Sequence, residues 1–223
     1  MSTYVLIHGG GGSAWDWHLV APELRARGQG AVAIDLPSEE ASAGLSEYAD
    51  AVVEAIGERT DLVVVAHSLG GFTAPLVCAR APVDLLVLVA AMVPAPGEAG
   101  NEWWRNTGHG QAFREQSDHD GSEAAVFYHD VPPELAAEAA KHERDQSEAA
   151  MLEPWPLEAW PDVPTRYLLC RDDRMFPAEW TRRHVRDRLG IVPDEIDGGH
   201  YITLSRPQEL ADRLESYRAE ALS

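Results

Sequence analysis

Residues 63–71 read VVVAHSLGG, four apolar residues running into a histidine, a serine and a pair of glycines. A serine placed at the end of such a run has two readings. Its hydroxyl can cap the helix that follows. It can also be presented to a ligand, because ligands of open parallel sheets gather at the carboxyl ends of the strands. The choice turns on whether matching chemistry stands at the ends of other strands.

The other apolar runs are residues 3–8 (TYVLIH), 31–37 (AVAIDLP), 84–91 (DLLVLVAA), 165–170 (TRYLLC) and the weaker 194–199 (DEIDGG), with 62–67 (LVVVAH) leading into the serine. Runs apolar on both faces suit parallel strands that are covered on two sides. Helical patterns lie between them at about 16–28, 45–59, 69–80, 178–189 and 207–221. The alternation predicts an α/β fold: a mostly parallel sheet of about six strands, helices on both faces, and right-handed crossovers. The rhythm breaks over 94–163, which holds four of the seven tryptophans, several prolines and no strand pattern. The expected organisation is a core of residues 1–93 and 164–223 interrupted by this insertion.

Four strand ends carry chemistry: HGGGGSAW at 8–15, Ser68, RDDRMFP at 171–177 and GGHY at 198–201. A glycine-rich loop, a serine, an acid and a histidine thus meet at one edge, in the chain order serine, acid, histidine. A serine hydroxyl is a poor nucleophile until an imidazole accepts its proton, and a carboxylate must hold that imidazole in the right tautomer. Ser68, His200 and Asp173 fill those roles, which a capping serine would not require.

A presented serine needs small residues two places either side, at a tight strand-to-helix turn. Ala66 and Gly70 occupy them, so AHSLG departs from G-x-S-x-G by one methyl group, and Gly71 allows the helix to pack closely on the sheet. Oxyanion donors are expected from the backbone N–H of Leu69 and from Gly10 in the glycine loop. GGGG lacks the spaced lysine of a P-loop and the G-x-G-x-x-G register, which argues against a phosphate cradle. Asp173 stands four residues before Pro177, the usual spacing for the relay acid ahead of the next helix. Asp172 is read as a solvated loop residue.

Composition excludes other classes. The 18 Lys and Arg residues against 37 Asp and Glu give a formal charge of −19, which repels nucleic acid and anionic membranes. No apolar run approaches the ~20 residues of a membrane span, and the N-terminal residues carry no signal-like pattern. With two cysteines, Cys78 and Cys170, both in apolar surroundings, the expectation is a soluble cytoplasmic protein with buried thiols. His109, His119 and His129 recur at tens, which places no pair on one helical turn. Neither a metal nor a cofactor is expected. The expected partner is a small-molecule substrate, and a homodimer is left open. His8 is read as a structural hydrogen-bonding residue and His67 as packing beneath the nucleophile.

The blocks YVLIHGGGGSAWDWHLVAPELRARGQGAVAIDLP, VVVAHSLGG, YLLCRDDRMFP and GGHYITLSRPQEL resemble the α/β-hydrolase branch that contains plant methylesterases and hydroxynitrile lyases. The resemblance spans roughly 1–95 and 164–221, and implies that 94–163 is a cap over the active site. It also implies a choice of chemistry. The lyases of this branch hold a threonine beside the oxyanion loop and a lysine directly after the catalytic histidine, whereas this chain has Gly9 and Tyr201. Without a cation to receive cyanide, hydrolysis of a small to medium apolar ester or lactone is the expected reaction. A lyase-like reaction and a ligand-binding, receptor-like role are the alternatives. Gly9, Met92, Trp104, Phe127, Phe176 and Tyr201 are the expected substrate contacts, and Trp103, Trp155 and Trp160 serve equally as pocket walls or as core.

Overall fold

The computed structural model describes residues 1–116 and 119–221. Its six strands are β1 (Thr3–Ile7), β2 (Gly30–Ile34), β3 (Leu62–His67), β4 (Val83–Val89), β5 (Thr165–Cys170) and β6 (Asp194–Ile196). They form one parallel sheet in the order β2-β1-β3-β4-β5-β6. β1 and β3 are buried at every position, as expected of central strands covered on two faces.

Several elements end earlier than the sequence pattern suggests. The predicted strand 31–37 stops at Ile34, because the Leu36 N–H is taken by the His8 ring (3.1 Å) and Pro37 has no donor to offer. The weak run 194–199 pairs only to Ile196 before Gly198 turns at φ +129°. The helix expected over 16–28 divides into a 3₁₀ turn, Ala14–Trp17, and α1 (Val20–Ala26). α2 (Leu45–Ile56) stops at Gly57, whose φ of +58° reverses the chain.

α3 (Gly70–Cys78) follows β3. The insertion folds as short helices: α4 (Gly100–Asn106), α5 (His109–Gln116), α6 (Glu123–Phe127), α7 (Pro133–Ala139) and α8 (Glu148–Leu152). α9 (Ala178–Leu189), α10 (Ile202–Ser205) and α11 (Pro207–Ala221) complete the chain, α10 being an element that no sequence pattern marked. α1 packs with α11, and α2 with α3. Right-handed crossovers explain the two pairs: β1 to β2 runs one way along the sheet and β3 to β4 the other, which sends α1 and α3 to opposite faces.

The insertion is tied into this core. Trp103 and Trp155 are fully buried, and their indole N–H groups donate to the carbonyls of Val93 and Phe72, both at 3.0 Å. Burying two indoles with both donors satisfied fixes the insertion to the sheet edge and α3. Trp160 stacks on Trp155 at 6.0 Å, so these tryptophans are core, and only Trp104 reaches the cavity described below.

Chain order reverses between β1 and β3, the point where a crevice opens at the strand ends. The backbone is tightest there. A Cβ added to Gly70 would stand 2.8 Å from the His8 carbonyl oxygen, and one added to Gly71 would overlap the Met92 carbonyl oxygen. Gly71→Ala is therefore expected to destabilise the protein by about 3 kcal/mol, in the range of an overpacked core. Gly110→Ala, on α5 with only the Arg114 side chain nearby, should change stability by less than about 1 kcal/mol. Urea denaturation of the two variants compares them, and equal stabilities would remove the close-packing argument.

Candidate active site

Ser68 sits at the turn from β3 into α3 with φ +51°, a left-handed conformation that non-glycine residues seldom adopt. Its backbone is held on three sides: its N–H donates to the Val89 carbonyl (3.3 Å), and its own carbonyl accepts from Gly71 (3.1 Å) and Met92 (2.9 Å). The side chain is thereby aimed out of the turn, in a conformation unlike that of a helix cap. α3 is instead preceded by Leu69 as its N-cap.

His200 Nε2 lies 3.0 Å from Ser68 Oγ, and its Nδ1 lies 2.8 Å from Asp173 Oδ2. The ring and the carboxylate are both buried. Asp173 Oδ1 accepts the backbone N–H groups of Met175 (2.8 Å) and Phe176 (2.9 Å), so the acid is oriented by its own loop before it meets the imidazole. Hydroxyl, imidazole and carboxylate thus stand in one hydrogen-bonded series, the arrangement that lets a hydroxyl lose its proton as it attacks. Asp172 has a different place: its Oδ2 accepts the Gly198 N–H at 3.0 Å and closes the turn after β6.

Two further histidines hold the loops. His8 Nδ1 lies 2.7 Å from the Gly9 carbonyl while Nε2 faces the Leu36 N–H, which fixes the tautomer with its proton on Nδ1. Burial keeps it below the ordinary histidine range. His67 Nε2 donates to the His200 carbonyl (2.9 Å), and burial, then the neighbouring His200, hold its pKa well down. Both rings are thus neutral pins, one on the glycine loop and one on the loop of His200.

Gly9, Gly10, Ser68, Leu69, Met92, Trp104, Phe127, His200 and Tyr201 all line one cavity of about 260 Å³. The backbone N–H groups of Gly10 and Leu69 have no acceptor among the described residues and can serve an incoming oxyanion. Phe176 does not reach the cavity. It packs edge-on against His200 at 5.1 Å from within the core, because the Asp173 turn folds it inward. Four lining residues carried no sequence signal: Glu123, Gln146, Met151 and Met175. The first three come from the insertion, where only tertiary packing assigns a position.

The sequence profile of the alpha/beta hydrolase family matches residues 4–213. The chain belongs to that family. A probable esterase of rice (Oryza sativa subsp. indica), PIR7A, is 38% identical over 109 residues, which is 43% of this chain and 41% of the rice protein. An alpha-hydroxynitrile lyase of Arabidopsis thaliana is 24% identical over 247 residues, covering 96% of this chain and 95% of that protein. The crystal structure of polyneuridine aldehyde esterase superposes with a TM-score of 0.81 at 20% identity, over 97% of this chain and 99% of that one. The fold expected from strand order is therefore the fold of this α/β-hydrolase. Among its described residues, no helix is long and apolar enough to cross a membrane, and no cluster of three metal-ligating side chains forms.

Asp16 lies near the pocket residue Tyr201, buried, with Oδ2 unpartnered. Desolvation pushes its pKa up to about 7, against a backbone hydrogen bond from Ser13 that lowers it. An acid raised in the folded state favours the fold when protonated, so this contribution is complete near pH 4 and lost as the pH rises through 7. Asp16→Asn is expected to be more stable than the wild type at pH 8 by about 2–4 kcal/mol, the size of a shift of about three pKa units. The gain should shrink toward pH 4. Urea unfolding at both pH values measures it, and a gain independent of pH would reassign the effect to packing.

Proposed function

We propose that this α/β-hydrolase is a serine carboxylesterase acting on a small to medium, largely apolar ester or lactone. The observation that carries the reading is the hydrogen-bonded series Ser68, His200, Asp173 opening into a cavity walled by Met92, Trp104, Phe127, Met151 and Met175. Ser68 Oγ attacks the ester carbonyl while His200 Nε2 takes its proton, and Asp173 keeps the Nδ1 proton in place and stabilises the imidazolium. The N–H groups of Gly10 and Leu69 receive the oxyanion. His200 then returns the proton to the departing alkoxide, leaving an acyl group on Ser68. A water activated by the same imidazole releases the acid. This sequence requires no cofactor. In it, residues 94–163 act as the cap and 1–93 with 164–223 as the catalytic core.

The related lyase makes cleavage of a cyanohydrin the competing chemistry. Departing cyanide needs a nearby cation, and the described lining holds Tyr201 next to His200 and no lysine or arginine. Gly9 also bears on the choice: a Cβ there would stand 2.8 Å from Ser68 Cβ, so a threonine at this place would displace the nucleophile. Tyr201→Lys alone is therefore the cleaner probe. It should lower hydrolysis of p-nitrophenyl esters and raise mandelonitrile cleavage above background. A wild type that cleaves mandelonitrile faster than any ester would defeat the esterase reading.

Ser68→Ala should abolish ester hydrolysis, losing on the order of 10⁴- to 10⁶-fold in turnover, with circular dichroism unchanged. Asp173→Asn should cost on the order of 10³- to 10⁴-fold by misplacing the imidazole proton, and Asp172→Asn less than about tenfold. Burst release of p-nitrophenol in the wild type would report the acyl-enzyme. A Ser68→Ala protein that retained most of its activity would end the proposal.

A further inference from the structure

The cavity wall has an uneven charge. Among its described lining residues, Glu123 is the one carboxylate and there is no lysine or arginine to face it. Glu123 opens α6 and forms no ion pair or hydrogen bond among the described residues. No arginine or lysine acts on it: the influences on its carboxyl are its own desolvation and the neighbouring Glu143. His67, also in the wall, is kept neutral by burial.

More negative charge stands behind the aromatic side of the pocket. Tyr201 stacks on Tyr128 at 4.8 Å, and the Tyr128 hydroxyl reaches Glu143 Oε1 at 3.4 Å. Glu143 raises the pKa of Glu123 after burial does, so the two acids repel one another. Besides Leu69, Gln146 and three methionines, the wall holds the rings of Trp104, Phe127 and Tyr201, and aromatic rings beside a carboxylate are the surroundings that attract ammonium groups. An anionic substituent would meet no counter-charge in this wall. The chain's formal charge of −19 acts in the same direction.

We propose that the pocket selects esters carrying a protonated amine or quaternary ammonium group, with Glu123 as the specificity-determining residue and the Trp104, Phe127 and Tyr201 rings as the faces on which the cation rests. This rests on the esterase reading above and amends its substrate class, adding one cationic group to an otherwise apolar ester.

A matched pair of esters tests it: butyrylcholine and 3,3-dimethylbutyl butyrate, which have nearly the same shape and differ in charge. The wild type should favour the cationic ester in kcat/KM, and Glu123→Gln should lower that preference by roughly three- to tenfold, the range of one partly exposed ion pair. Glu123→Lys should lower it further, and the wild-type preference should fall as sodium chloride rises from about 0.05 to about 0.5 M. Calorimetric titration of the Ser68→Ala protein with the same two esters reads the preference without turnover. A cation preference in that titration, lost on adding Glu123→Gln, supports the pocket assignment even where the wild type cleaves neither ester, so its outcome is independent of the p-nitrophenyl ester assays that test the esterase reading. Equal binding of the two esters, or a preference unaltered by Glu123→Gln, overturns the proposal.

Discussion

The approach of the Gly70 and Gly71 backbone to the ends of β1 and β4 governs the geometry of the site. With no side chains in the way, the start of α3 comes against the His8 and Met92 carbonyls. Ser68 is left at φ +51° on the turn between them. Such a conformation costs on the order of 1–3 kcal/mol, and it persists because the surrounding hydrogen bonds over-determine it. Gly10 and Leu69, whose N–H groups have no acceptor among the described residues, line the same cavity as the hydroxyl. The turn of Ser68 and the start of α3 are thus consequences of one packing constraint.

Buried polar groups complete what the glycines begin. Desolvation holds the pKa of both His8 and His67 down; His8 bonds loop backbone through both ring nitrogens and His67 through Nε2. Asp173 receives two backbone N–H groups in addition to the His200 ring. A buried polar group with its partners in place resists rearrangement, because any alternative geometry leaves a donor or acceptor unpaired at a cost of about 1–3 kcal/mol. The loops of Gly9, Asp173 and His200 are tied down in this way, and the insertion is anchored by Trp103 and Trp155.

The pocket divides into two kinds of wall. Its floor comes from the strand ends, where Gly9, Gly10, Ser68, Leu69, Met92 and His200 follow directly from strands or turns. Its roof comes from the insertion, where Trp104, Glu123, Phe127, Gln146 and Met151 are carried by short helices and the segments between them. A pocket built in this way takes one wall from the ends of the sheet and the other from connecting segments.

The floor was legible in the amino-acid sequence because its causes are local. Six apolar runs alternating with helical patterns admit a parallel sheet, and the residue after each run has to emerge at the same edge. The sequence by itself thus determined the α/β architecture and the meeting of Ser68, Asp173 and His200, with Asp173 rather than Asp172 facing the imidazole. Strand ends were less legible: whether β2 continued past Ile34 depended on His8, twenty-eight residues from its partner Leu36, capturing a backbone donor. The tertiary structure alone decided the roof. Its helices are too short for a periodic apolar stripe, so nothing in 94–163 distinguished Trp104 in the cavity from Trp103 in the core. Nor could local spacing reveal that Phe176 turns inward while Glu123 reaches the pocket. Those positions are set by contacts between segments far apart in the chain, and such contacts exist only after the core has formed.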